Sequence, residues 1–350
     1  MLINFFQKSD RNNYIPMEGP MHIGRTEFSC ISGGIFYLVP EQISNGDFFS
    51  TRVQTNEKVL MRVVEKSKEQ YNNKKIEWYK PFILYPVKND AFEWPIDLME
   101  YKNSEGEYCL CYAFQQNEGR MKSFYDILCQ KKDNKILDWR NPDTQKVCIS
   151  FLKAMIKLHK SGYIYNDFNL KRMFYNAETD NVFLRFSPLM RTIGSATGFD
   201  AVCPKDISVE FRPPCLYKLE TFFPNEGIDC YSIAALLFRL MIGRLPYEGR
   251  EMSGNGEVLI PGRELTPTEY DIYFERYLLS PRFIFDTEDD RNSLGPMQEN
   301  DLPRERWEAL SKNVKIMFMD SFNTKAFSGS SVERYYKPEE WLNSFEQLIK

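Results

Sequence analysis

A chain of 350 residues with 43% hydrophobic content can bury a substantial core, and its length suits two medium domains or one large two-lobed one. Lys and Arg total 45 against 49 Asp and Glu, a formal charge of −4 with no strongly basic block, which argues against nucleic acid as a main partner. The two histidines, His22 and His159, lie far apart, so multi-histidine metal sites and histidine relays, and with them hydrolase and zinc-enzyme readings, lose most of their support.

The opening run MLINFFQKSDRNN breaks its apolar character after six residues and makes a poor signal peptide. No apolar stretch reaches the length of a membrane span. The eight cysteines form no CxxC pair, Cys109 and Cys111 coming closest, and read as reduced core thiols. The expectation is a soluble cytoplasmic protein with no membrane partner.

Residues 1–20 read as an N-terminal extension. Residues 21–115 carry short β-rich runs at Ile35–Val39, Val59–Val64 and Tyr108–Phe114, separated by polar turns such as Asn45-Gly46 and Gln54–Glu57. The polar segment Gln115–Lys122 marks a boundary, so the expected parts are 21–118 and 119–350. Beyond it the pattern turns helical. In the span Asp143–Gly162, Val147, Phe151, Met155 and Leu158 follow helical spacing, with Asp143 as the expected cap and Gly162 as the stop. MFY (173–175) and VFLRF (182–186) flank a polar turn as a short hairpin. IAALLFRLMI (233–242) is apolar nearly all round and predicts a buried helix ended by Gly243 and Pro246. GREMSGNGEVLIPG and DTEDDRNSLGP read as exposed loops, and helices are expected over Trp307–Phe322 and Pro338–Lys350.

LHKSG, YIYNDFNLKRMFYN and VFLRFS in succession resemble the catalytic segment of protein kinases. The resemblance implies an α+β, bilobal protein-kinase-like fold with a small β-rich N-lobe and a larger helical C-lobe. Asp167 falls at the catalytic Asp position, Arg172 at that of the metal-binding Asn, and Arg185-Phe186-Ser187 where DFG belongs. VLMR (59–62) resembles the VAIK strand with Arg62 replacing its lysine. FSCISGGIFYLV resembles a degenerate glycine-rich loop, in which Gly33 and Gly34 could approach phosphates or simply make a hairpin turn. FRPPCLY (211–217) looks like the end of an activation segment, with Cys215 in place of the APE glutamate. GIDCYSIAALLFRLMIGRLPYEG resembles the helix carrying an invariant aspartate, here Asp229.

FEWPIDLM (92–99), FIFDTEDDRN (283–292), Trp307, Phe318, Phe322 and EEW (339–341) are similar to one bacterial kinase-like family. Its members are linked with a von Willebrand factor A-type protein and a metal-dependent protein phosphatase, which the resemblance implies as partners. That family would place an arginine near Tyr335 to pair with a glutamate at position 215; Arg334 is the nearest arginine.

Phosphoryl transfer needs positioned phosphates, magnesium and an acceptor for the hydroxyl proton, and magnesium prefers oxygen ligands. Arginine in place of the expected Asp and Asn removes both protein ligands. A unit charge about 4 Å from a divalent ion feels roughly 8 kcal/mol of repulsion at an effective dielectric near 20. No cofactor or metal is therefore expected, and Asp167 reads as a structural carboxylate paired with Arg172 or Arg185. Asp229, His159 and Phe186 read as structural, Asp229 bracing the catalytic-loop backbone as the resemblance implies.

These residues lead to a catalytically inactive pseudokinase that acts as a scaffold or allosteric binding partner in a bacterial phospho-signalling module. Arg62, Arg172 and Arg185 could converge on one cleft and hold nucleotide phosphates without metal. One alternative is a divergent active kinase or nucleotide transferase using Asp167, helped by Asn166 and Asn169. Another is a repurposed cleft binding a peptide or small molecule, with Trp78 and Trp94 as aromatic contacts or, more simply, as packing.

Overall fold

The computed structural model describes residues 6–8, 14–16, 36–44, 47–52, 57–65, 73–102, 108–115, 121–129, 142–176, 178–195, 197–216, 219–250, 281–296, 301–322 and 335–348. His22, residues 28–35 of the candidate glycine-rich loop with Gly33 and Gly34, Asn45-Gly46, most of 249–262 and Arg334 lie outside them. The chain divides into two compact units, Met1–Gly119 and Arg120–Lys350.

The first unit opens with a two-stranded hairpin, β1 (Phe6–Lys8) on β2 (Tyr14–Pro16). Five further strands make one antiparallel sheet: β3 (Phe36–Ser44), β4 (Asp47–Arg52), β5 (Glu57–Glu65), β6 (Pro95–Lys102) and β7 (Tyr108–Gln115), in the order β3-β4-β5-β7-β6. In β7 every residue from Leu110 to Phe114 is fully buried, as befits a strand covered on both faces. One cover is helix α1 (Asn73–Leu84), which the sequence reading of a β-rich region did not single out. α1 is fastened to the sheet by Tyr79, whose ring meets Tyr112 edge-on at 5.5 Å and whose hydroxyl donates to Glu65 at 2.5 Å. Lys75 pairs with the same Glu65. Trp94 is buried in the same unit, with its indole N–H donating to Phe82 O and its ring against Phe82 and Phe92.

The second unit is mainly helical. After the short strand β8 (Lys122–Ser123) and helix α2 (Phe124–Cys129) comes α3 (Pro142–Lys160). Val147, Phe151, Met155 and Leu158 are buried as expected, and Leu152 beside them is buried too, while Ile156 is half-buried. Asp143 lies inside the helix rather than capping it. Gly162 follows the helix with φ +85°, a left-handed value that suits glycine at a helix C-terminus. Strand β9 (Tyr163–Ile164) leads to the hairpin of β10 (Met173–Asn176) and β11 (Asn181–Leu184), and β12 (Arg191–Thr192) returns to pair with β9.

Helix α4 (Glu226–Ile242) begins seven residues before the apolar run that announced it. Asn225 caps it by accepting from the Ile228 amide, and Asp229 and Ser232 of its first turns are buried with hydrogen-bond partners. The expected helix over Trp307–Phe322 is two helices, α5 (Asp301–Glu308) and α6 (Lys312–Phe322). Ser311 accepts from the Val314 amide and restarts the chain as a new helix. Phe283, Trp307, Phe318 and Phe322 gather round Phe238 of α4. Helix α7 (Pro338–Leu348) closes the chain, with Trp341 fully buried against Phe318. Among the described residues no helix is long and apolar enough to cross a membrane.

Candidate functional site

Two short antiparallel pairings set the site. β9 with β12 and β10 with β11 hold loop 165–172 beside segment 185–190. Ile164 opposes Arg191 at one end, and Met173 opposes Leu184 at the other. Side chains then stitch the two stretches together. Tyr165 Oη donates to Arg185 O at 3.0 Å, Asn166 Nδ2 to Leu189 O at 3.4 Å, and Arg172 Nη2 to Phe186 O at 2.7 Å.

Asp229 braces the loop from below. Its fully buried carboxylate accepts the amides of Tyr165 at 2.7 Å and Asn166 at 2.8 Å, and His159 Nε2 lies 3.0 Å from the same group. Charge on an acceptor shortens and strengthens such bonds. The bracing lets Asn166 hold φ +56°, a left-handed value that asparagine tolerates better than other side-chain-bearing residues.

Asp167 is buried and faces Arg172, whose Nη1 is 3.0 Å from its Oδ2. This approach is a charge contact without hydrogen-bond alignment, and Oδ2 has no hydrogen-bond partner; neither has Asn166 Oδ1. Of the two arginines expected to compete for Asp167, Arg172 takes it. Arg185 is exposed and lies 4.9 Å over the ring of Phe174 instead. Phe186 is buried, and Asn169 Oδ1 is engaged by the Lys171 amide in a local turn.

Arg62 belongs to the first unit, and there its guanidinium is held by Glu93 at 2.6 and 3.2 Å and rests 4.8 Å over Phe114. The fork-to-carboxylate geometry pairs the Arg62 charge within its own unit. Arg172 and Arg185 are brought together; Gly33 and Gly34 lie outside the described residues.

Cys215 and Tyr335 are close enough to influence each other electrostatically. Burial pushes the Tyr335 phenol up, and the Cys215 thiol adds to the effect. Tyr335 packs edge-on to Tyr231 at 5.5 Å.

A magnesium ion does not fit this donor set. Its expected Asn and Asp ligands are Arg172 and Arg185, and the Arg172 guanidinium already contacts the Asp167 carboxylate and the Phe186 carbonyl. Among the described residues no group of three or more His, Cys, Asp or Glu is placed to hold a metal. Sequence reasoning missed Tyr165, Phe174 and Glu93. The first is an aromatic directly before Asn166-Asp167, a signal that was available. Glu93 is 31 residues from Arg62, and nothing local announces the pairing.

No family model and no curated protein matches the sequence. Among solved structures, the Cydia pomonella granulovirus kinase PK-1 is similar at 12% identity, with a TM-score of 0.48, over 85% of this chain and 91% of that one. The chain has a protein-kinase-like α+β fold. That assignment rests on its own topology: a five-stranded antiparallel sheet with a helix after its third strand, then a braced loop, a hairpin and a buried central helix.

Proposed function

We propose that this chain is a pseudokinase, a kinase-like protein without ordinary magnesium-dependent phosphotransfer, working as a scaffold or allosteric partner in a bacterial phospho-signalling module. One observation carries the reading. Arg172 reaches from Asp167 Oδ2 to Phe186 O, so a fixed guanidinium stands where a catalytic metal would need oxygen ligands. Asp167, paired to that cation, is poorly disposed to accept a substrate hydroxyl proton. Three side-chain hydrogen bonds, from Tyr165, Asn166 and Arg172, also hold segment 185–190 in one arrangement, which suits a binding surface better than a cycling catalyst.

The von Willebrand factor A-type protein and the metal-dependent phosphatase remain the partners to test, on the family resemblance. The deciding assay is transfer of labelled phosphate from ATP, with magnesium and with manganese, to the chain itself and to those partners. The expected result is incorporation no greater than that of Asp167→Asn. Magnesium-dependent incorporation that Asp167→Asn abolishes would instead establish the divergent-kinase alternative.

A further inference from the structure

We propose that Arg172 and Arg185 form an acceptor site for a phosphoryl anion that needs no metal, a reading that rests on the pseudokinase assignment above. The β10–β11 register places Met173 opposite Leu184 and extends one step further, where the Arg185 amide donates to Arg172 O at 3.0 Å. The two arginines are therefore cross-strand neighbours. Since side chains alternate between the faces of a sheet, Arg172, Arg185 and Phe174 project to the same side.

Like charges directly opposite each other across a strand pair are destabilising. Here a single carboxylate offsets the two cations. Asp167 serves Arg172, whose side chain remains 29% exposed, and Arg185 has no carboxylate partner among the described residues. Local charge is therefore left positive on an accessible surface of a chain whose net charge is −4.

The geometry of Arg185 suits it to an oxyanion. Its guanidinium carbon lies 4.9 Å over the Phe174 ring, and a guanidinium resting on a ring in this way can present its N–H edge to a ligand. That edge is the part that grips phosphate with two parallel hydrogen bonds. Arg172 is anchored by Asp167 and Phe186 O and contributes charge alongside. A dianion is favoured over a carboxylate because its larger charge gains more from two neighbouring cations. Inorganic phosphate, a phosphorylated side chain and the terminal phosphate of a nucleotide share this chemistry.

Calorimetric titration of the full chain in excess chelator, with inorganic phosphate, O-phosphoserine and ADP as separate probes, tests the proposal and tells the three sources apart. At least one probe is expected to bind wild type without metal, and raised salt should weaken it. Arg185→Gln should weaken binding tenfold or more while shifting the unliganded melting temperature only slightly, since the exposed side chain gives up a single ring contact. Arg185→Lys should recover only part of the loss, because an ammonium cannot reproduce the fork. Absence of binding by all three probes at millimolar concentration, or affinity unchanged in Arg185→Gln, would overturn the site. That failure, together with absent phosphate transfer, would leave the pseudokinase reading standing. Binding that requires magnesium, accompanied by phosphate transfer, would overturn both.

Discussion

Replacing Asp229 by Ala removes the side chain that accepts the Tyr165 and Asn166 amides and faces His159. Water is a poor substitute, because Tyr165 is 0% and Asn166 1% exposed. A buried amide stripped of its acceptor costs about 1–3 kcal/mol, so two place the loss at about 2–6 kcal/mol, against a typical total of about 5–15. Asp229→Asn keeps one acceptor oxygen but turns an NH2 group toward existing donors, and an intermediate loss of about 1–3 kcal/mol is expected. Urea unfolding followed by tryptophan fluorescence measures both, and hydrogen exchange at the Tyr165 and Asn166 amides reports the loop directly. A midpoint change equivalent to less than about 0.5 kcal/mol for the alanine variant, typical of an unimportant surface change, with protection retained at both amides, would refute this account of the loop.

Arg62→Met leaves the buried Glu93 carboxylate without its fork, and a loss of about 2–4 kcal/mol is expected, with Arg62→Met/Glu93→Leu recovering most of it; a thermal-melt double-mutant cycle checks this. Gly243 ends α4 at φ +83°, and a Cβ there would meet Arg306 Nη1 at 2.9 Å. Gly243→Ala should therefore cost about 1–2 kcal/mol in urea unfolding. Burial pushes the Cys148 thiol up to about 12 from an ordinary 9.0. The native state thus keeps a proton that the unfolded chain releases, so stability is intact below about pH 9 and falls as pH rises toward about 12. Cys148→Ala should lose about 1 kcal/mol less than wild type between pH 8 and pH 10.

What the sequence disclosed follows its periodicities. α3 was legible because Val147, Phe151, Met155 and Leu158 repeat at helical spacing on one buried face. Periodicity alone hid the start of α4, whose first turns carry Glu226, Asp229 and Ser232, although the resemblance over GIDCYSIAALLFRLMI already placed Asp229 on it. Asp229 and Ser232 are nonetheless buried, through partners 64 and 21 residues away that no local pattern reveals. The break between α5 and α6 was likewise masked, since apolar residues continue in register across Leu310 while Ser311 restarts the helix. In the site, Asp167, Arg172, Arg185 and Asp229 were singled out by the resemblance of their segments to protein-kinase motifs. Their partners were not. Whether Asp167 met Arg172 or Arg185 was decided by the β10–β11 register, which leaves Phe174 available to Arg185. Glu93 claimed Arg62 through the packing of a sheet whose register is a tertiary property.

Restoring the metal ligands tests most directly the proposal that Arg172 and Arg185 stand in place of a catalytic metal. Thermal unfolding of wild type and of Arg172→Asn/Arg185→Asp would be compared with ATP, in magnesium and in excess chelator. Wild type should gain no stabilisation from magnesium, whereas the double variant should show an ATP shift that appears only with the ion. A magnesium-dependent ATP shift already present in wild type would contradict the account.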